Sequence, residues 1–152
     1  PKKLYRASTG EVPEEYYEIP LGVAEVMQEG KDVTVLAWGA QIEICQKAIE
    51  MAQAQGISCE LIDLRSILPW DVETVVKSVT KTGRLVINHE APLTGGFAGE
   101  IAATIQQRCF LHLESPIARV CGLDTPYPLA LEREYVADHL KTFEAIVASV
   151  KF

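Results

Sequence analysis

The chain has 152 residues, of which 48% are hydrophobic and 23% are charged, and this composition is typical of a single globular domain with an apolar core. Its formal net charge of −7 disfavours nucleic acid as a partner, because an acidic surface repels phosphate groups. No apolar stretch approaches the roughly 20 residues that a membrane-spanning helix needs, so we expect no membrane partner.

Residues 1–20 are interpreted as a polar, extended connector in front of the domain. Pro13 and Pro20 interrupt regular structure there. The segment lacks the apolar core of a secretory signal, and it resembles a linker in the middle of a longer protein. Residues 21–152 are predicted to form one domain.

The first half of that domain alternates strand-like and helix-like segments. Leu21–Met27 is predicted to be a short edge strand. Asp32–Trp38 is almost continuously apolar and rich in β-branched residues, which is typical of a central parallel strand covered on both faces. Ala40–Gln55 has the apolar spacing of an amphipathic helix, which Gly56 ends, and Ser58–Leu64 is the next strand.

The second half continues the alternation. Asp71 is predicted to cap a helix that runs to Gly83, and Leu85 begins another strand. A helix from Ala98 and a strand at Ile117–Cys121 follow. The last helix is predicted to bury one apolar stripe, formed by Val136, Leu140, Phe143, Val147 and Val150. Because strands alternate with helices, the predicted fold class is α/β, a single domain with a mostly parallel β-sheet and helices on both faces.

Four cysteines are spread widely along the chain. Cys59 and Cys121 fall in predicted strands, and Cys45 and Cys109 fall in predicted helices. They form neither a C-x-x-C motif nor a Cys/His cluster with the spacing of a zinc site. We therefore expect no metal site, and we interpret the cysteines as small core residues of a protein in a reducing compartment.

The stretch from Arg84 to Glu100 joins a strand to a helix, the place where ligands usually bind in an open α/β sheet. Two interpretations of Thr94, Gly95 and Gly96 remain open. Their amides at a helix start could bind an anion, or the glycines only permit a tight turn and close packing. The second is favoured, because the chain lacks the longer glycine patterns of phosphate-binding loops.

His89 and Glu90 stand side by side where this strand ends. Such a pair is suited to acid/base chemistry. Neighbouring residues of a strand point to opposite faces, however, so structural or interface roles are favoured for both. Asp124, in the loop Gly122–Pro128, is predicted to cap its own turn.

Three segments together resemble a known family. They are IDLRSILPWD (Ile62–Asp71), INHEAPLTGGFAGEI (Ile87–Ile101) and RVCGLDTPYP (Arg119–Pro128). In this order and spacing they resemble the C-terminal domain of the β subunit of the branched-chain 2-oxo acid dehydrogenase E1 component, a transketolase C-terminal domain. LYRA (Leu4–Ala7) is similar to the linker that precedes this domain.

The resemblance implies an α2β2 enzyme with an α subunit and a second β subunit as partners. It uses thiamine diphosphate and Mg²⁺ to decarboxylate branched-chain 2-oxo acids, and it passes the acyl group to lipoyl groups of E2. The family's cofactor residues lie in the α subunit and the N-terminal domain of β, so no catalytic, cofactor-binding or metal-binding residue is expected here, and His89 is not the family's catalytic histidine. The isolated domain is expected to be inactive.

The resemblance leaves two alternatives, a β subunit of the related pyruvate or acetoin dehydrogenase E1, or an independent anion- or nucleotide-binding α/β domain. A transketolase-type enzyme with different substrates is a further possibility that the missing N-terminal domain would decide. The implied location is the mitochondrial matrix or the bacterial cytoplasm.

The resemblance also implies a docking role for two residues. In relatives with this architecture the domain docks the basic peripheral subunit-binding domain of E2. The acidic residue expected in that contact is Glu114, in LESPI, and the terminal carboxylate at Phe152 would be a second contact. A second acid expected nearby is replaced by Ala118. The net charge of −7 agrees with a basic partner.

Overall fold

A five-stranded sheet with strand order β1-β3-β2-β4-β5 forms the centre of the computed structural model, which describes residues 3–152. Neighbouring strands from β2 to β5 pair in parallel, and the edge strand β1 pairs antiparallel with β3. The strands are Glu25–Gln28 (β1), Val33–Ala37 (β2), Cys59–Asp63 (β3), Leu85–Pro92 (β4) and Ala118–Gly122 (β5). The predicted fold class is confirmed.

Helices cover both faces of this sheet. Their bounds are Leu4–Ala7 (α1), Gln41–Gln53 (α2), Val72–Thr82 (α3), Ala98–Cys109 (α4), Glu132–Tyr135 (α5) and His139–Lys151 (α6), with 3₁₀ turns at Phe110–His112 and Leu129–Leu131. Helices α2 and α6 pack on one face, and α3 and α4 pack on the other. Within residues 3–152, no helix is long and apolar enough to cross a membrane.

The central strand β2 shows how the sheet divides the apolar core. All five of its residues are buried, because helices lie on both sides. Val33 and Val35 face α2 and α6, whereas Leu36 faces α3 and α4. The β-branched run of the sequence is thus explained by burial on two faces.

Helix α3 begins and ends where the sequence predicts. The Asp71 carboxylate accepts the Thr74 N–H at 3.0 Å, as a helix N-cap does. Gly83 ends the helix with φ at 71°, a left-handed conformation that glycine adopts without strain. Asp71 also accepts the Ala24 N–H at 3.0 Å, which joins this helix to the segment before β1.

The N-terminal part differs from the prediction in two places. Residues 1 and 2 of the predicted connector lie outside the described residues, and Leu4–Ala7 form a helical turn rather than extended chain, because the Ser8 N–H donates to the Leu4 carbonyl at 3.2 Å. The edge strand begins at Glu25 instead of Leu21. Residues 21–24 instead bond to the loop after β3, where the Gly22 N–H donates to Ser66 Oγ at 3.0 Å.

The predicted apolar stripe of the last helix is correct in part, because Phe143, Val147 and Val150 are partly buried and pack against the core. Helix α6 begins at His139, so Val136 lies outside it, and the side chain of Leu140 is 49% exposed. The buried positions of the helix are Thr142, Ile146 and Ser149. Thr142 can be buried because its hydroxyl donates to the Asp138 carbonyl at 2.7 Å and accepts from Asn88 Nδ2 at 2.6 Å.

The four cysteines are free thiols. Cys45, Cys59 and Cys109 are buried, as predicted for small core residues, and Cys121 is half-buried. Within residues 3–152, no group of His, Cys, Asp and Glu side chains has the arrangement of a metal site.

Candidate functional site

The predicted polar residues gather where β4 and β5 end. Strand β4 continues to Pro92, so the prediction that it ends at His89 and Glu90 is wrong. The reason is long-range pairing, since Pro92 lies opposite Gly122 of β5 and the Leu93 N–H donates to the Gly122 carbonyl at 3.0 Å. Residues 93–97 then connect β4 to α4.

His89 is buried at the base of this connection. Its Nε2 accepts the N–H of Ala98, the first residue of α4, at 3.2 Å, and lies 3.5 Å from the Cys121 sulfur. Trp38 stacks on the ring with a centroid distance of 5.4 Å. Burial and the nearby Arg119 guanidinium lower the pKa of His89. A neutral ring that accepts at Nε2 carries its proton on Nδ1, so His89 serves as a fixed acceptor that holds the start of α4.

Glu90 differs from His89 in its exposure to solvent. It is exposed, whereas His89 is buried, which agrees with the expectation that adjacent side chains of a strand lie on opposite faces. The two groups do not form an acid/base pair. Burial raises the pKa of the nearby Cys121 thiol to about 11, so this sulfur is not an activated nucleophile either.

The Thr94 loop is bound by a carboxylate from the next loop. Asp124 accepts the Thr94 N–H at 2.8 Å and the Thr94 hydroxyl at 2.6 Å. These hydrogen bonds lower the pKa of Asp124. Asp124 therefore joins two loops, and the prediction that it caps its own turn is wrong. Gly96 supplies close packing, because a Cβ there would lie 2.4 Å from the Pro92 carbonyl oxygen.

The predicted helix start is thus largely occupied by groups of the chain itself. Helix α4 begins at Ala98, after the glycines, and its first N–H is bound by His89. The Thr94 N–H is bound by Asp124. Arg119 and Glu100 border the remaining depression with opposite charges. This arrangement favours the interpretation of a packed turn over that of an anion site.

Glu114 and Phe152, the two predicted docking residues, lie at the opposite end of the parallel strands, where β4 and β5 begin. Glu114 precedes β5, and its side chain is 60% exposed. Its Oε2 lies 2.7 Å from Nη2 of Arg84, and its N–H donates to the Gly83 carbonyl at 2.8 Å.

A shallow apolar groove begins beside Glu114. It measures about 220 Å³ and lies between the segment before β5 and the last turns of α6. Phe152 borders it and is 81% exposed. The lining residues are Ser115, Pro116, Ile117, Ala118, Ala145, Ala148, Ser149 and Phe152. The structure thus brings Glu114 and Phe152 to one surface, and we call Glu114 together with this groove the Glu114 surface.

Comparison with known families decides what this domain is. A family model described as the C-terminal domain of transketolase matches residues 22–141. The chain belongs to the transketolase C-terminal domain family. A solved structure described as a split-gene transketolase, an inactive β4 tetramer, superposes with a TM-score of 0.76 at 26% identity, covering 96% of this chain and 47% of that one.

Curated relatives of this transketolase C-terminal domain are subunits of 2-oxo acid dehydrogenases. The mitochondrial 2-oxoisovalerate dehydrogenase subunit β of Dictyostelium discoideum is 65% identical over 96% of this chain, and subunit β 2 of Arabidopsis thaliana is 57% identical over 100%. The pyruvate dehydrogenase E1 subunit β of Acholeplasma laidlawii is 42% identical over 99%. The chain spans 40%, 42% and 45% of the length of these proteins, respectively.

Sequence reasoning missed one residue that contacts the Glu114 surface of this transketolase C-terminal domain. Arg84 contacts Glu114, but it stands in the sequence as a lone basic residue between a helix-ending glycine and a strand. No local pattern distinguishes such an arginine from a solvated surface residue. Its role depends on contacts that only the folded chain brings together.

Proposed function

We propose that the chain is the C-terminal assembly and docking domain of the E1 β subunit of a branched-chain 2-oxo acid dehydrogenase complex. The observation that carries this proposal is the 65% identity to a 2-oxoisovalerate dehydrogenase subunit β over nearly the whole chain. The pyruvate-type relative is less similar, at 42%, which favours the branched-chain enzyme. Relatives occur in mitochondria and in bacteria, so the mitochondrial matrix or the bacterial cytoplasm is the proposed location.

The complete enzyme would carry out thiamine-diphosphate-dependent oxidative decarboxylation of branched-chain 2-oxo acids and transfer the acyl group to lipoyl-E2. We assign thiamine diphosphate and Mg²⁺ to the parts of the enzyme beyond this chain. A diphosphate needs free amides or cations, whereas here Asp124 binds Thr94 and His89 binds Ala98. The proposed contribution of this domain is therefore contact with the α subunit and a second β subunit, and binding of E2.

The proposed occupant of the Glu114 surface is the basic peripheral subunit-binding domain of E2. Charge supports this choice, because Glu114 is an exposed acid on a chain of net charge −7. The groove offers room for an apolar side chain of the partner beside that acid. Burial of such a side chain next to a charged contact is typical of specific protein interfaces.

We predict that Glu114→Lys in the complete E1 enzyme weakens binding of the isolated E2 subunit-binding domain about tenfold or more. The substitution replaces attraction of a basic partner by repulsion, and rim charges act mainly on the association rate. Calorimetric titration at low salt measures the affinity, and stopped-flow mixing measures the rate.

Glu73→Lys is the matched control for charge. Glu73 lies on α3, is 76% exposed and pairs with Arg108 at 2.6 Å, so this variant makes the same change in net charge away from the Glu114 surface. It is expected to bind the E2 domain as the wild type does. Equal affinities of the wild type and Glu114→Lys at low salt would disprove docking at Glu114.

A further inference from the structure

Arg84 contacts both parts of the Glu114 surface. It lies between Gly83, which ends α3, and Leu85, the first residue of β4. Its side chain is only 23% exposed. A charged side chain is rarely covered to this extent unless its donors are paired, so the partners of Arg84 indicate its role.

The three nitrogens of the Arg84 guanidinium reach three separate segments. Nε donates to the Ser149 carbonyl at 3.1 Å, in the last turn of α6. Nη1 donates to the Asp32 carbonyl at 3.3 Å, just before β2. Nη2 lies 2.7 Å from Oε2 of Glu114, just before β5. Among side chains, only the planar guanidinium of arginine has enough fixed N–H donors to bond all three acceptors at once.

Glu114 is held by backbone contacts as well. Its N–H is bound to the Gly83 carbonyl, and its side chain lies directly over Gly83. A Cβ at position 83 would lie 2.9 Å from Cγ and Cδ of Glu114, so only glycine leaves room for this approach. The Glu114 side chain thus packs against Gly83 while 60% of it remains exposed.

The end of α6 is held by the same arginine. The carbonyls in the last turn of a helix lack partners within the helix, and the Ser149 carbonyl receives its donor from Arg84. A cation at this position also interacts favourably with the helix dipole. Because Ser149 and Phe152 line the groove, Arg84 fixes the groove wall relative to Glu114.

We propose that Arg84 is a positioning residue for E2 docking, which orients the Glu114 carboxylate and the end of α6 as one rigid surface. The inference rests on the docking function proposed above. A preorganised surface binds more tightly, because less side-chain entropy is lost on association. The opposite expectation is that Arg84 neutralises Glu114 and weakens docking. Replacing Arg84 raises Kd under the first expectation and lowers it under the second.

The test is Arg84→Lys in the complete E1 enzyme, titrated with the isolated E2 subunit-binding domain. Lysine keeps the charge but has a single ammonium group that cannot serve all three acceptors. We expect Kd to rise about fivefold to tenfold. The slope of log Kd against log salt concentration is expected to stay at the wild-type value, because the charge is the same. Glu114→Gln, by contrast, is expected to reduce that slope.

Arg108→Lys is the matched control. Arg108 pairs with Glu73 at 2.6 Å away from the Glu114 surface, so its replacement is expected to leave Kd unchanged. In the Glu114→Gln background, Arg84→Lys is expected to have a smaller effect than in the wild type, since residues that act through each other are not additive.

Each outcome separates the two proposals. An Arg84→Lys enzyme that binds the E2 domain as well as the wild type, or better, overturns the positioning role and leaves docking at Glu114 intact. A wild-type enzyme that does not bind the E2 domain overturns docking and the positioning role with it. If Arg84→Lys fails to assemble, as judged by size-exclusion chromatography, Arg84→Gln is measured instead and judged by its Kd alone, because it changes the charge: a raised Kd supports the positioning role, and an unchanged or lower Kd overturns it.

Discussion

His89 is a titratable residue whose environment is far from that of a solvated side chain. It is buried, accepts the Ala98 N–H and stacks on Trp38, in a place where sequence alone offers it as an acid or base. Burial and the charge of Arg119 lower its pKa, and the Cys121 thiol lies 3.5 Å from its Nε2. A proton added at Nε2 would remove the acceptor that binds the start of α4. The neutral ring is therefore a structural requirement.

We predict that protein stability falls as the pH drops below 6.5, the ordinary pKa of histidine, and that His89→Gln makes this fall shallower. Because the folded pKa is depressed, the unfolded chain binds more protons between the two pKa values. The stabilisation is thus complete above 6.5 and is lost as the pH falls towards the folded pKa. Urea unfolding at several pH values between 7.5 and 5 measures it. Parallel pH profiles for the wild type and the variant would contradict the prediction.

At the scale of elements, some features follow from local sequence and others do not. The β-branched run of β2 predicts a buried strand from local sequence. Asp71 and Gly83 likewise determine the two ends of α3 through local interactions. The extension of β4 to Pro92 is decided by pairing with β5, which is distant in sequence. The buried face of α6 depends on the bond between Thr142 and Asn88. Arg84 was missed for the same reason, since its acceptors lie in three remote segments.

The hydrogen bonds between Thr94 and Asp124 hold two loops together. We predict that Asp124→Ala speeds hydrogen exchange at the Thr94 amide, because it removes the acceptor of that N–H. Exchange measured by NMR or by mass spectrometry of the loop peptide tests this. Glu90→Ala removes a nearby exposed acid and is expected to leave the exchange unchanged. A Thr94 amide that is equally protected in the Asp124→Ala variant would show that this bond does not form in solution.

The same loops are where an independent anion-binding domain would bind its ligand. With the Asp124 carboxylate on Thr94, phosphate and thiamine diphosphate face a negative charge at the place where they would bind. Tight binding of either anion to this domain would favour that alternative over the docking function. The interpretation that Gly95 and Gly96 only permit a tight turn and close packing agrees with the observed packing of Gly96 against Pro92.

At the scale of the molecule, large apolar side chains remain on the surface. Leu21 is 83% exposed and Leu68 is 84% exposed, and they lie on segments joined by the bond between Gly22 and Ser66. Leu129, in the loop after β5, is 82% exposed. Exposed residues of this kind often mark interfaces between subunits.

We predict that the domain, when expressed without partners, self-associates through such residues at high concentration. Light scattering measures the mass, and Leu68→Gln is expected to reduce association because it makes one exposed apolar residue polar. Lys77→Gln, an exposed change that removes no apolar surface, is the control. A clean monomer at high concentration would count against the expected subunit contacts.

The antiparallel direction of β1 separates the two ends of the domain. Because Glu25 pairs with Asp63, at the end of β3, the chain enters the sheet at the edge where the parallel strands finish. Helix α6 ends at the other edge, beside Arg84, where β4 begins. Strands of five residues place these edges roughly 16 Å apart. The proposed docking surface at Glu114 and the segment that leads into the fold therefore lie at opposite ends of the parallel strands.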